Sequence, residues 1–230
     1  VVLPPRNLGP PDQAYVAEGI AEEVNNRLVG LSGIEVIGRT SAERYRETTL
    51  TPQRIGSELS ADYILALRIG SEGGSSGHRL RVSAELLRAQ TEAAVWSESY
   101  QADSTADYFR VQSEIAQGVA RQMGATVAAA EQTRLAVRPT TNAAAYDAFL
   151  RAQVLLSRSI KVSDFRDAEN LLQHAVDLDP KFAEAWAGLS RAHTEQYWFW
   201  GDRSERRLAL AREAADRAAA LAPDAPATHF

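Results

Sequence analysis

Hydrophobic residues follow two different spacings along the first part of the chain. Over residues 79–86 apolar and polar residues alternate, which predicts a β-strand with one buried face. Over residues 14–31 the apolar residues recur every three or four positions, which predicts an amphipathic helix. Both spacings recur between residues 1 and 129, so this part of the chain is predicted to mix strands with helices.

The predicted elements follow one another in the order β-α-β-α-α-β-β-β-α. Strands are predicted at residues 1–3, 34–38, 63–69, 79–86 and 93–100. Helices are predicted at residues 14–31, from Thr40 or Ser41 onward, at 51–60 with Thr51 as N-cap, and at 106–129. This order predicts an α/β sandwich, in which helices cover a small mixed sheet.

The second part of the chain is rich in alanine and repeats a spacing. AENLLQHAVDLDP at Ala168 and AREAADRAAALAP at Ala211 share alanine, alanine, leucine and proline at the same offsets, 43 residues apart. Small residues allow paired helices to approach closely, and proline ends a helix, so such positions are retained while exposed ones vary. We therefore predict helical hairpins after the linker RPTTN, with Asn142 as an N-cap, and two domains at 1–137 and 138–230.

Composition and charge narrow the possible partners. The net charge is −5 with 45% hydrophobic residues and no cysteine. The composition indicates a globular protein, and the scattered basic residues argue against a nucleic-acid surface. No apolar run reaches the roughly 20 residues of a membrane span. The chain opens on VVLPP without methionine and closes on APATHF, where another helix would begin, so we expect a segment of a longer protein that by itself binds neither nucleic acid nor membrane.

Motifs for catalysis or cofactor binding were sought and none is predicted. The glycine-rich run GSEGGSSGH, residues 70–78, lacks the GK[ST] ending and the following helix of a phosphate-binding loop, which favours a hairpin loop. The serines within it lack the GxSxG context of a nucleophile. The four histidines, none spaced as metal ligands usually are, are His78, His174, His193 and His229. We expect no metal, no cofactor and no catalytic residue.

Several runs in the first part resemble a known family. They are EGIAEEV at Glu18, GRTSA at Gly38, IGSELSADYIL at Ile55, RVSAELL at Arg81, VWSESYQAD at Val95 and DYFRVQSEIA at Asp107. In this order they resemble the TolB-like amino-terminal domain found in bacterial signalling proteins, over residues 1 to about 132.

The second part resembles tetratricopeptide (TPR) repeats. Trp186, Leu189, Ser190 and His193 occupy the frame Trp-x2-Leu-Gly-x2-Tyr, with serine and histidine in place of glycine and tyrosine. The spacing of 43 exceeds the usual 34, so the first helix is longer or a loop is inserted around TEQYWFWGDRSE; two repeats and a truncated third are predicted.

The joint between the two parts supports the resemblance. PTTNAAAYDAFLRA, which begins at Pro139, is similar to the segment that links TolB-like domains to TPR repeats. In those proteins the upstream output domain is a winged-helix regulator, a class III adenylate cyclase or a serine/threonine kinase. The resemblance implies a sensing or protein-binding segment, and because relatives often place it beyond a membrane span, an extracytoplasmic location is favoured over a cytoplasmic one.

Two sets of residues are candidates for binding a protein or peptide. The positions expected to line the concave groove of the repeat are Glu184, Ala187, Gly188, Arg191 and Glu195. The second set is the aromatic run Tyr197, Trp198, Phe199 and Trp200. Two interpretations of this run stay open: a packing plug over helix ends or against the first domain, or a contact patch for a partner.

We therefore expect a non-catalytic sensing or protein-interaction module of a larger bacterial signalling protein. One alternative is a fragment of a parent enzyme, an adenylate cyclase or kinase, whose catalytic domain lies outside the chain; the HRD and DFG motifs of a kinase do not occur in it. A second alternative is an oligomerisation module, so both a protein partner and a homo-oligomer are considered.

Overall fold

A computed structural model describes residues 1–74, 77–125, 127–158, 161–199 and 201–223. The chain folds as two compact units, an N-terminal unit Val1–Val137 and a C-terminal unit Arg138–Phe230. The predicted fold class, an α/β domain followed by an all-α helical array, is confirmed.

The described part of the N-terminal unit contains a four-stranded mixed sheet of order β1-β2-β3-β4. Strand β1 pairs in parallel with β2, and the other neighbours are antiparallel. Apolar residues alternate along each central strand, so one face of the sheet is buried. The strands are β1 (Arg6–Asn7), β2 (Tyr63–Gly74), β3 (Gly77–Arg88) and β4 (Ala94–Ala102).

The buried face of this sheet is covered by two long helices, which pack on each other and on the strands. The core combines Leu67 and Val82 of the sheet with Ile20 and Ile115 of the covering helices, all at most 2% exposed. After a short 3-10 helix at Pro11–Gln13, the helices of this unit are α1 (Ala14–Val29), α2 (Arg39–Glu43), α3 (Pro52–Leu59), α4 (Thr105–Gln122) and α5 (Ala129–Ala136).

One predicted helix and one predicted strand of this unit differ from the structure. The helix predicted over residues 106–129 ends at Gln122, because Gly124 takes a left-handed φ of 69° and closes a C-terminal cap in which the Ala125 N–H donates to the Ala120 carbonyl at 3.0 Å. Residues 34–38 form no strand. Residues 34–37 line a cavity together with Val2, and the backbone that follows Val2 holds Pro4 and Pro5, which have no N–H to donate to a further strand.

The first predicted strand is also interrupted by these prolines. Val2 makes an isolated parallel bridge to Leu65, and regular pairing resumes only at Arg6. The predicted hairpin between β2 and β3 is present, with both strands extending into the glycine-rich run. Ser75 and Ser76 lie outside the described residues.

The C-terminal unit is a series of helices in which each packs against the next. Alanine and leucine fill the contacts: Ala168, Leu172, Ala211 and Ala218 are all at most 5% exposed, as the repeated spacing predicts. The helices are α6 (Ala143–Arg158), α7 (Val162–Leu178), α8 (Ala183–Phe199) and α9 (Glu205–Leu221). Helix α8 runs to Phe199 and, at 17 residues, is as long as α7 and α9.

Candidate functional site

The aromatic patch, defined as Tyr197, Trp198 and Phe199, forms the last turn of α8. Trp198 is 61% exposed and Phe199 71% exposed, whereas Tyr197 is half-buried. The rings of Tyr197 and Trp198 meet edge to face, with centroids 5.3 Å apart. The fourth predicted member, Trp200, lies outside the described residues. The exposure of Trp198 and Phe199 argues against a packing plug over helix ends within the described part of the C-terminal unit.

The patch lies where the buried face of α8 ends. Leu189, His193 and Gln196 are buried at helical spacing, and Phe199 would be the next residue of this stripe. Its exposure shows that the buried face of α8 does not continue to this level. Large aromatic side chains left in solvent at adjacent positions are typical of a binding surface.

The five predicted groove residues do not share one surface. Ala187 is 4% exposed and Gly188 is buried in the contact between α7 and α8. A Cβ atom at Gly188 would lie 2.9 Å from Leu172 Cδ2, so the absence of a side chain is what allows the two helices to approach. These two residues serve helix packing and cannot present a side chain to a partner.

The other three groove residues, Glu184, Arg191 and Glu195, are half-buried. Arg191 donates to the Leu156 carbonyl at 3.1 Å, and its Nε lies 3.8 Å from a Glu195 carboxylate oxygen. Arg191 is therefore engaged in joining α8 to α6.

A polar cluster that the sequence reasoning missed lies beneath the patch. We call it the Arg207 cluster; its members are Glu169 of α7, His193 and Gln196 of α8, Asp202 of the following turn and Arg207 of α9. His193 and Gln196 are 4% and 3% exposed. The cluster joins three consecutive helices through residues up to 38 positions apart, which is why no local pattern indicated it.

Arg207 holds this cluster together. Its Nη1 donates to Glu169 Oε2 and to His193 Nδ1, both at 2.8 Å, and its Nε donates to Asp202 Oδ2 at 2.9 Å. Gln196 Nε2 donates to the same Glu169 oxygen at 2.7 Å. Charge-assisted bonds of this kind are short and directional, so the cluster gives the end of α8 and the start of α9 a defined arrangement.

Burial and neighbouring charges determine the protonation state of His193. Desolvation lowers the pKa of His193, the nearby Glu169 carboxylate opposes this shift, and the Arg207 guanidinium adds to it. The pKa of Asp202 is lowered by hydrogen bonds from Ser204 and from Arg207. The cluster therefore favours a neutral imidazole between a fixed cation and two carboxylates.

The N-terminal unit holds a cavity of about 120 Å³ with a mainly apolar lining that includes Ile34, Val36 and Met123. Small-molecule pockets usually enclose about 300–1,000 Å³. The cavity contains none of the predicted site residues, and we assign it no ligand. Across the described ranges, no three His, Asp or Glu side chains lie close enough together to hold a metal ion. None of the helices described there is long and apolar enough to span a membrane.

No protein-family model matches the chain. It is similar to a Rhizobium meliloti (strain 1021) protein described as "Putative adenylate cyclase 3", with 30% identity over 223 residues. The alignment covers 94% of this chain but 37% of the relative, so the chain spans little more than a third of that protein's length.

Two structures resemble parts of the chain. The lipoprotein GNA1162 from Neisseria meningitidis covers 45% of this chain and 78% of its own, with a TM-score of 0.37 and 18% identity. PelC from Paraburkholderia phytofirmans, a dodecamer, covers 54% of this chain and 86% of its own, with a TM-score of 0.33 and 15% identity. Similarity at this level does not extend the assembly of those proteins to this chain.

Proposed function

We propose that this chain is a non-catalytic sensing or protein-interaction module of a larger bacterial signal-transduction protein, and that the aromatic patch is its contact surface. The observation that carries this proposal is the exposure of Trp198 and Phe199, at 61% and 71%, on the end of a helix. Tryptophan and tyrosine are among the residues that contribute most to protein interfaces.

The helical array supports a binding role for the C-terminal unit. Its small-residue contacts and its Trp-x2-Leu spacing are those of TPR repeats, whose stacked helices present extended binding surfaces. We propose that this unit is a TPR-type array and that the N-terminal unit is a TolB-like domain. The sequence similarity to the Rhizobium meliloti relative supports a place in cyclic-nucleotide signalling.

The chemistry around the patch favours a protein or peptide partner. The turn that follows the patch in sequence and the start of α9 carry Arg203, Glu205 and Arg206, which are all exposed. Interfaces commonly have an aromatic centre surrounded by a mixed polar rim. The Arg207 cluster holds this surface in one arrangement before binding, which lowers the entropic cost of association.

Photo-crosslinking tests the contact surface. With p-benzoylphenylalanine at position 199 of the full-length protein, we expect one covalent product with a different protein, which mass spectrometry identifies. The same probe at position 221, where leucine is 40% exposed, is the control and is expected to give no such product. If the only crosslinked product joined two copies of this chain, the patch would mediate self-association, and the proposal would be contradicted.

Affinity measurements with the identified, purified partner complete this test. Replacing Trp198 and Phe199 together with alanine is expected to weaken binding about tenfold or more, because truncation of aromatic interface centres typically costs this much. The variant should keep the circular dichroism and melting temperature of the wild type, since both side chains are exposed. Unchanged affinity in a folded variant would refute the assignment of the patch.

A cyclase assay tests whether the chain is an enzyme. We propose that the activity named for the relative belongs to the part of that protein that this chain does not span. Incubation of the chain with ATP and Mg²⁺ or Mn²⁺ is expected to give no cyclic AMP above the buffer control. Formation of cyclic AMP in proportion to the amount of chain would show that it is catalytic.

A further inference from the structure

His193 occupies the centre of the Arg207 cluster in a defined tautomer. An arginine side chain is always protonated and only donates, so the 2.8 Å contact between Arg207 Nη1 and His193 Nδ1 requires an unprotonated Nδ1. The imidazole is therefore neutral, with its proton on Nε2. At 4% exposure it has little access to water to compensate for a second proton.

A proton on Nδ1 would remove this hydrogen bond. The charged groups that face His193 are Glu169 from α7, Arg207 from α9 and Asp202 from the turn. Glu169 Oε1 lies 3.7 Å from Nδ1, whereas Arg207 and Gln196 donate to Glu169 Oε2. Two cations 2.8 Å apart repel each other, so a protonated His193 would turn to Glu169 Oε1 and push the Arg207 guanidinium away.

Displacement of Arg207 would affect the turn that follows the patch. Asp202, which accepts from Arg207 Nε, also accepts from Ser204 Oγ at 2.7 Å. Ser204 in turn caps α9, because its Oγ accepts from the Arg207 N–H at 3.1 Å. These bonds order the turn between the patch and α9, so the loss of the Arg207 contacts would loosen both ends of that turn.

We propose that the Arg207 cluster is a pH-sensitive switch, in which protonation of His193 opens the turn beside the aromatic patch and weakens partner binding. The effect on binding rests on the proposed function of the patch; the opening of the turn does not. Within this switch His193 acts through Arg207 and does not itself touch the partner.

The direction of the pH dependence follows from the environment of His193. Burial lowers the pKa of His193 in the closed cluster, whereas in the open turn the pKa returns toward its ordinary value of about 6.5. As the pH falls, the open form therefore becomes protonated at a higher pH than the closed form. The closed form is fully favoured above about pH 6.5 and is progressively lost as the pH falls toward the lowered pKa.

Hydrogen exchange measured by mass spectrometry tests the switch without a partner. Peptides spanning residues 201–208 are compared at about pH 7.5 and about pH 5.5, with correction for intrinsic rates. In the wild type we expect opening to increase about threefold or more at the lower pH, because the open form binds the proton more tightly than the closed form. Peptides from α6 should not change.

A matched variant isolates the titrating group. In His193→Gln the side-chain amide oxygen can accept from Arg207 but does not titrate, so we expect equal opening at both pH values. If this variant fails to fold, the wild-type nuclear magnetic resonance titration decides: the midpoint of His193 should lie below its ordinary value of about 6.5. Equal opening of the wild-type turn at both pH values, or a His193 midpoint at or above about 6.5, would overturn the switch.

The crosslinking experiment separates this inference from the proposed function. The yield of the partner product at position 199 should fall at the lower pH in the wild type and stay constant in His193→Gln. A pH-dependent turn with a pH-independent yield would overturn the effect on binding. If no partner product forms at either pH, the proposed function fails, and the exchange data alone decide whether the turn is a switch.

Discussion

Replacement of Phe182 with alanine is expected to lower the free energy of unfolding of the C-terminal unit by about 3–5 kcal/mol. Phe182 is fully buried, and its ring centroid lies 4.9 Å from that of Phe149 and 6.5 Å from that of Tyr146. Truncation removes this aromatic contact and leaves a cavity that helices held by other contacts fill only in part. Thermal and urea denaturation of the chain, followed by circular dichroism, measure the loss.

Phe199, at the other end of α8 from Phe182, supplies the control. Phe199→Ala removes the same atoms from a side chain that is 71% exposed, and its effect should stay within about 0.5 kcal/mol. Phe182→Leu, which retains most of the buried volume, should fall between the two variants. Equal stability of Phe182→Ala and Phe199→Ala would contradict the packing described for this unit.

Replacement of Gly56 with alanine is expected to destabilise the N-terminal unit by about 2 kcal/mol. A Cβ atom there would lie 2.3 Å from Ala89 Cβ and 2.9 Å from the backbone oxygen of Ala61. Neither atom belongs to a flexible side chain, so the backbone itself must move. Alanine is more favourable than glycine in a helix by about 1 kcal/mol, which offsets part of the cost of the clash. The expected loss of stability is the net value after this gain.

Hydrogen exchange of the β2 and β3 amides measures this loss within the N-terminal unit. Gly38→Ala is the control, because a Cβ atom at Gly38 meets nothing within 4 Å. We expect that variant to exchange at nearly the wild-type rate. Wild-type exchange in Gly56→Ala would show that α3 does not pack as closely on the end of β3 as described.

Helix starts were predictable because their chemistry is local. Thr51 Oγ1 accepts from the Arg54 N–H at 3.3 Å, and Asn142 Oδ1 accepts from the Ala144 and Ala145 N–H groups at 3.0 and 3.1 Å. Both bonds join residues at most three positions apart. The alternation in β3 was predictable for a similar reason, since each strand residue points to the face opposite its neighbours.

Pairing and helix continuation were less predictable, because they depend on distant atoms or on one residue's conformation. The β-branched run at residues 34–38 has the composition of a strand but forms none. The apolar spacing beyond Gln122 suggested a continuing helix, yet Gly124 adopts a left-handed conformation and α5 begins separately at Ala129. The composition of a segment shows whether it can adopt a strand conformation, whereas strand pairing also requires a neighbouring strand with free backbone groups.

The sequence by itself determined the class of each unit and the presence of an aromatic run, because hydrophobic spacing, helix caps and residue type are local properties. Only the tertiary structure decided that Trp198 and Phe199 are exposed, that Gly188 serves helix packing, and that Glu169, His193 and Arg207 meet. The exposure of a side chain and the hydrogen bonds between helices depend on how distant elements pack together. The residues joined here lie up to 38 positions apart in the chain.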